Sequence, residues 1–333
     1  MTYARESHTA SLLNDGRVLV TGGSNVFTTW NTVELYDPTV GVWVPTRNLT
    51  YARLYHTASV LNDGTVLVAG GSNDDGHLNS AELYKPSTGS WTTVGNMKDA
   101  RRMHTASVLT NGKVLITGGQ TTSGDSLNSA ELYDPLTGQW TTTGHMNYNR
   151  NGHTASVLNN GKVLVTGGYE RTIGYLNTAE LYDSSTGRWT DVGNLNNTRA
   201  FHTASVLNNG KVLVSGGMTQ DAELIQSAEL YDSLTSRWNN TGDLNSLGMF
   251  RAATVLNDGK VLVAGGQVLQ TVTVSDAELY DPSTGNWNII SSLHNARAYH
   301  TASLLTDGKV LITGGIELYT LHTSELYELR TLM

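Results

Sequence analysis

HTASVLTNGKVLITGG, residues 104–119, reads as a short strand, an Asn-Gly turn and a second strand that ends in two glycines. Close copies begin at His8, His56, His153, His202, Arg251 and His300. Their glycine pairs start at Gly22, Gly70, Gly118, Gly167, Gly216, Gly265 and Gly314, so successive copies lie 48 or 49 residues apart. A unit of this size cannot bury its own apolar faces, and neighbouring copies must share a core. The 333 residues therefore read as a single domain of seven units, with approximate bounds 6–48, 54–96, 102–145, 151–194, 200–243, 249–292 and 298–333.

The unit that begins at His153 shows the internal plan. His153 to Leu158 is a strand. Asn160-Gly161 predicts a type I′ hairpin turn, because both residue types tolerate positive φ. Asp15-Gly16, Asp63-Gly64, Asn111-Gly112, Asn209-Gly210, Asp258-Gly259 and Asp307-Gly308 repeat it. Lys162 to Thr166 is a second strand whose unbroken apolar run predicts burial on both faces. Gly167-Gly168 then ends it. A phosphate-cradling loop would need a helix opening directly after the glycines, and no helical pattern follows any pair, so the glycines read as backbone freedom and close approach to a neighbour. After a variable loop comes a third strand, Thr178 to Tyr182, in which Leu181 alternates with Glu180 and Tyr182. Asp183-Ser-Ser-Thr-Gly187 is a turn cluster, and Arg188-Trp189-Thr190 opens a polar fourth strand. Seven such units predict an all-β, seven-bladed β-propeller with four antiparallel strands per blade.

Composition narrows the function. A net charge of −8 argues against nucleic acid and anionic membrane as partners, since both need basic patches. No run approaches membrane-spanning length, and Met1-Thr-Tyr-Ala-Arg5 has no apolar signal core; this favours a cytoplasmic location. With no cysteine, disulfides, thiolate metal sites and cysteine nucleophiles are excluded.

The glycine pair, the Tyr about 14 residues later (Tyr36, Tyr84, Tyr133, Tyr182, Tyr231, Tyr280, Tyr327) and the Trp after it (Trp43, Trp91, Trp140, Trp189, Trp238, Trp287) resemble the kelch repeat over essentially the whole chain. The resemblance implies that each first strand lines a central channel and each Trp strand lies on the outer rim. The seventh unit has no Trp strand, so its blade is expected to lack the fourth strand and to leave Ser324–Leu329 as an open edge, a pairing hazard.

Positions shared by all units serve blade geometry, and positions that differ are free of that demand. Two sets differ most. One is the pair before the His: Glu6-Ser7, Leu54-Tyr55, Arg102-Met103, Asn151-Gly152, Ala200-Phe201, Met249-Phe250 and Ala298-Tyr299. The other is the loop that opens at Ser24, Ser72, Gln120, Tyr169, Met218, Gln267 and Ile316. Peptide-capturing kelch domains use these positions around the channel, and variable loops on a rigid scaffold are the usual place for recognition. The expected ligand-binding face comprises Tyr55, His56, Arg102, Met103, Tyr169, Phe201, Met218, Phe250, Arg251, Gln267, Tyr299 and His300, a set rich in interface-type residues. The competing reading is that its aromatics fill the propeller's mouth against each other. Trp30 stands outside the repeat, either as an anchor or against a neighbouring blade.

The repeated histidines read as side chains bonded to neighbouring backbone, with a mild pH response if they protonate together. A metal needs nitrogens converging at about 2 Å, whereas residues spaced around a channel diverge, so no metal and no other cofactor is expected. The repeated Glu (Glu34 to Glu325) and Arg (Arg5 to Arg297) read as structural ion pairs, because a catalytic group is needed once and a blade lock seven times.

The sequence thus points to a non-catalytic interaction module that binds a peptide, protein or glycan at the loop face. The alternative is a kelch-type enzyme. Galactose-oxidase-type chemistry needs a Tyr–Cys crosslink that this chain cannot form, and an iron-binding Glu-x-x-x-Asp-x-x-x-His pattern is absent. A mutarotase built on Arg251, a nearby His and Glu223 is the remaining enzymatic candidate.

Overall fold

A computed structural model describes residues 1–220, 223–269 and 272–328. Seven antiparallel sheets stand around one axis; six have four strands and the seventh has three. Blade 1 runs Thr9–Leu12, Val18–Thr21, Val33–Asp37 and Val42–Pro45, from the axis to the rim. Blade 7 stops at its third strand, Ser324–Tyr327. Leu329, expected at its open edge, lies outside the described residues, as does the remainder of the last unit.

The second strand is buried at every residue in all seven blades, since other blades cover both of its faces. The apolar clusters accordingly lie between blades. Leu61, Leu67 and Met97 of blade 2, for example, pack with Val114, Ile116 and Tyr133 of blade 3. No blade owns a core, which is why a single unit has no independent stability.

Two local expectations are corrected. The hairpins are not type I′ turns. Gly161 alone has a positive φ, 78°, and its N–H donates to the Leu158 carbonyl while the Lys162 N–H donates to the Asn160 side chain. This is a type I turn followed by a left-handed glycine, locked by an Asn side chain that mimics a backbone acceptor. All seven hairpins carry the same side-chain lock. On the third strand, Glu180 and Tyr182 are buried, and Leu181 is only half-buried. Tyr182 pairs with Trp189, ring centroids 5.0 Å apart, and Glu180 is buried because a cation meets it.

That cation is the arginine of the linker before the first strand. Arg101 donates to the Gly118 and Ser129 carbonyls at 2.7 and 3.1 Å, and to Glu131 at 2.8 Å. Glu131 also accepts the N–H groups of Lys98 and Asp99. Equivalent pairs join Arg5–Glu34, Arg53–Glu82, Arg150–Glu180, Arg199–Glu229 and Arg297–Glu325. Each clamps a linker onto its own blade. Burying such charges is costly unless they are paired and hydrogen-bonded; here linker N–H groups and strand carbonyls supply most of the partners, and only the Nε of Arg5, Arg53, Arg150 and Arg199 is left without one among the clamp arginines.

The glycine pair serves the next seam. A Cβ on Gly118 would stand 2.5 Å from the Arg150 carbonyl oxygen and 2.7 Å from the His153 ring, and Gly119 donates its N–H to that carbonyl. The ring closes the same way, with Gly315 of blade 7 donating to Arg5.

Candidate functional site

Ser7, Tyr55, Met103, Gly152, Phe201, Phe250 and Tyr299 precede the seven first strands. The six that carry side chains have φ between 52 and 56°, and Gly152 has 60°. Each donates its N–H to the carbonyl of its counterpart one blade back, and Ser7 donates to Tyr299, so the bonds form a closed circle about the axis. Left-handed backbone suits glycine; a bulky L-residue there costs on the order of 1 kcal/mol or more. The left-handed turn also brings all seven residues to the wall of an axial cavity of about 300 Å³.

Four of these side chains form a continuous aromatic arc. Phe201 lies 4.6 Å from Phe250, Phe250 stacks on Tyr299 at 4.1 Å, and Tyr299 meets Tyr55 edge-on at 6.1 Å. All four remain partly exposed. Burial pushes the Tyr55 and Tyr299 hydroxyls above the usual phenol range, and the neighbouring Tyr55 hydroxyl reinforces this in Tyr299.

Beneath the arc lie the histidines. His153 Nε2 meets the hydroxyls of Thr105 and Thr117, and His202 meets those of Thr154 and Thr166, in each case on the preceding blade. His56 does the same with Thr9 and Thr21. The partners at these nitrogens are hydroxyls, beside the main-chain interactions expected from sequence, as of His56 with Arg53 and His104 with Arg101. His300 faces Ala252 and Ala264 in place of the two threonines, and its Nε2 has no side-chain partner. Burial drives all six histidines well below the ordinary range, to about 3 for His104 and His300, and the neighbouring clamp arginines push the same way. Burial therefore favours the neutral imidazole in all six, which works against the mild pH response in binding expected of them.

An outer ring surrounds the mouth. The residue two before each His or Arg251 bridges to the first residue after the glycine pair in its own blade: Glu6 to Ser24, Leu54 to Ser72, Arg102 to Gln120, Asn151 to Tyr169, Ala200 to Met218, Met249 to Gln267, Ala298 to Ile316. The two variable sets thus meet at one end of the propeller. Arg102 donates twice to Gln120, with its guanidinium 5.8 Å from the Tyr55 ring centroid. Tyr169 packs edge-on against Tyr175, whose hydroxyl donates to the Met218 sulfur. Gln267 is buried in the short hairpin Gln267–Leu269 with Val272–Thr273. Neighbouring loops are tied laterally, as by Arg171 to Asp125 at 3.1 Å.

Arg251 lines the same axial cavity, next to Phe250 and His300. Its guanidinium turns away to Glu278, 3.5 Å distant, and its Nε donates to the Gly265 carbonyl at 2.7 Å. Trp30 is no free anchor, since it packs on Tyr3 and donates to the Ala4 carbonyl. Among the described residues no cluster of three or more His, Asp or Glu is arranged to hold a metal. The sequence list omitted Glu6, half-buried at the mouth, and the exposed Phe27, Leu318 and Tyr319 on the rim. Their positions within the two variable sets were the available signal.

The profile described as the KLHDC2/KLHL20/DRC7 Kelch-repeats domain matches residues 103–315, and the Kelch motif profile matches 53–98. No curated protein sequence matches the chain. Among solved structures, a fungal alcohol oxidase of the AA5 family in complex with copper superposes with a TM-score of 0.80 at 19% identity, over 97% of this chain and 74% of that one. YjhT superposes with a TM-score of 0.66 at 19% identity, over 84% of this chain and 96% of its own. At this identity the likeness is one of fold.

Proposed function

The chain belongs to the kelch-repeat family, and from that premise we propose that it is a non-catalytic docking module whose axial mouth receives an extended segment of another protein. The receiving surface is the aromatic arc Phe201–Phe250–Tyr299–Tyr55 with Met103, bordered by Arg102, Tyr169, Met218 and Gln267. His56 and His300 form its floor.

One observation carries this reading. A backbone position that favours glycine in all seven blades is occupied by glycine only at Gly152. Four bulky aromatics are held there in left-handed conformation, side by side and partly exposed. Strain of that kind gathers at binding sites, and rigid aromatics lose little entropy when they anchor a partner. Packing of the arc on itself explains its order but not its placement in strained backbone at the wall of the cavity.

The fold is shared with an oxidase, which keeps catalysis in view as a property of kelch propellers generally; the chain's lack of cysteine speaks against the crosslinked-tyrosine variety. The test combines Tyr55→Ala, Phe201→Ala, Phe250→Ala and Tyr299→Ala in one variant and compares partner capture from lysate with the native protein. A control carries Leu136→Lys and Leu234→Lys, at exposed turns between third and fourth strands. Loss of capture in the first variant alone, with the thermal transition retained, is expected. Capture that survives the aromatic substitutions sinks the assignment.

A further inference from the structure

We propose, resting on the docking reading above, that the sector of the mouth between blades 7 and 1 recognises a basic side chain, with the Glu6 carboxylate as its counter-ion and large apolar residues of the same peptide on the rim beside it.

The charge pattern leads there. Glu6 is held rigidly, since its N–H and carbonyl both pair with Ser24, at 2.9 and 3.0 Å. Its side chain is half-buried, yet among the described residues no hydrogen bond or ion pair reaches the carboxylate. Two other acids at this end are engaged: Glu170 accepts the Thr172 and Ile173 N–H groups, and Asp125 pairs with Arg171. A partly desolvated carboxylate without a partner is unfavourable, and a ligand cation would relieve it. Burial alone raises the Glu6 carboxyl above its ordinary range, with no cation acting on it. Glu317, from the adjoining loop of blade 7, likewise has no side-chain hydrogen bond or ion pair and adds negative potential on the same side. Arg102 stands two blades away, committed to Gln120.

The surroundings fit the same ligand. Tyr55 and Tyr299 lie near enough for the Glu6 charge to act on both hydroxyls, and an aromatic face beside a carboxylate favours an organic cation over a hydrated metal ion. The loop that opens at Ser24 exposes Phe27 at 90%, and the loop that opens at Ile316 exposes Leu318 and Tyr319 at 80% and 78%. These two loops flank Glu6 and Tyr299. The sector therefore offers negative charge and apolar area together, the complement of a Lys or Arg set between large apolar residues.

Fluorescence anisotropy with labelled hexapeptides tests this. The probe is an acetylated Gly-Phe-Lys-Phe-Gly-Ser, with versions in which norleucine or glutamate replaces the lysine. The lysine version is expected to bind the native protein at least about tenfold tighter than the norleucine version. Glu6→Gln is expected to bring the two within about twofold of each other, with the thermal transition unchanged. Equal binding of lysine and norleucine versions, tightest binding of the glutamate version, or a lysine preference that persists in Glu6→Gln overturns the proposal and leaves the docking reading standing. No binding by any version also overturns it; whether the docking reading falls too is then decided by the capture experiment.

Discussion

Arg251 stands where six blades carry a histidine, yet it reaches Glu278 at 3.5 Å and does the work of the clamp arginine that its own blade lacks. The clamp position in this blade is Gly248, and a Cβ there would meet the Arg251 side chain at 3.2 Å. Two departures from the repeat therefore compensate each other. Thr203 and Ser215 on blade 5 bond to each other and not to a histidine, so their hydroxyls remain ready for one.

Arg251→Ala should leave Glu278 buried without its cation and cost about 3–5 kcal/mol. Gly248→Arg combined with Arg251→His should restore the common pattern and come within about 1 kcal/mol of the native protein, since sites in contact couple. Urea unfolding measures both. A double variant no better than Arg251→Ala contradicts the exchange of roles.

An ordinary buried ion pair is often replaced by apolar residues at little cost. The clamps should behave otherwise, because Arg150 also serves the Gly167 and Thr178 carbonyls and Glu180 the Asn147 and Tyr148 N–H groups. Arg150→Met is expected to cost about 3 kcal/mol or more, and adding Glu180→Met should not recover it, since orphaned backbone groups cost about 1–3 kcal/mol each. Recovery to native stability would count against this account.

The histidines predict an early acid transition. Their folded-state pKa values are depressed, so the unfolded chain binds more protons once pH falls below about 6.5. Their stabilisation is complete above that pH and is lost progressively on the way down to the folded value. For His104 and His300, depressed to about 3, the loss at pH 5 is about 2 kcal/mol each. Unfolding free energies at pH 7.5 and 5.0 should differ accordingly, and His104→Asn should reduce the difference by about that amount. Level stability across this range contradicts the prediction.

Among the described residues, blade 7 presents Ser324–Tyr327 without a fourth strand. Leu326 is 43% exposed, whereas its counterparts in the other blades are buried or half-buried. A free edge with an exposed apolar residue invites pairing between chains. Leu326→Lys should slow aggregation at elevated temperature, followed by light scattering, while the thermal midpoint changes little.

The period of 48 or 49 residues was enough to count the blades, and the Asn-Gly turns, apolar runs and Trp positions to order their strands. These are local signals, and each was present seven or nearly seven times. The pairing of the repeated Arg and Glu was legible for the same reason. The hairpin type was not, because Asn160 and Gly161 permit two backbone solutions and the side-chain lock on Lys162 selects one. The role of Arg251 was hidden because it depends on which way a long side chain turns into a space left by Gly248. The carboxylate of Glu6 entered the sequence reading only as one of many variable residues; its lack of a partner emerged when the outermost blades met. Composition and spacing therefore determined the wheel, whereas the tertiary structure decided what faces its axis. Strand patterns are set by neighbours along the chain, but side chains at the mouth are set by contacts between blades, about 48 residues or a whole chain apart.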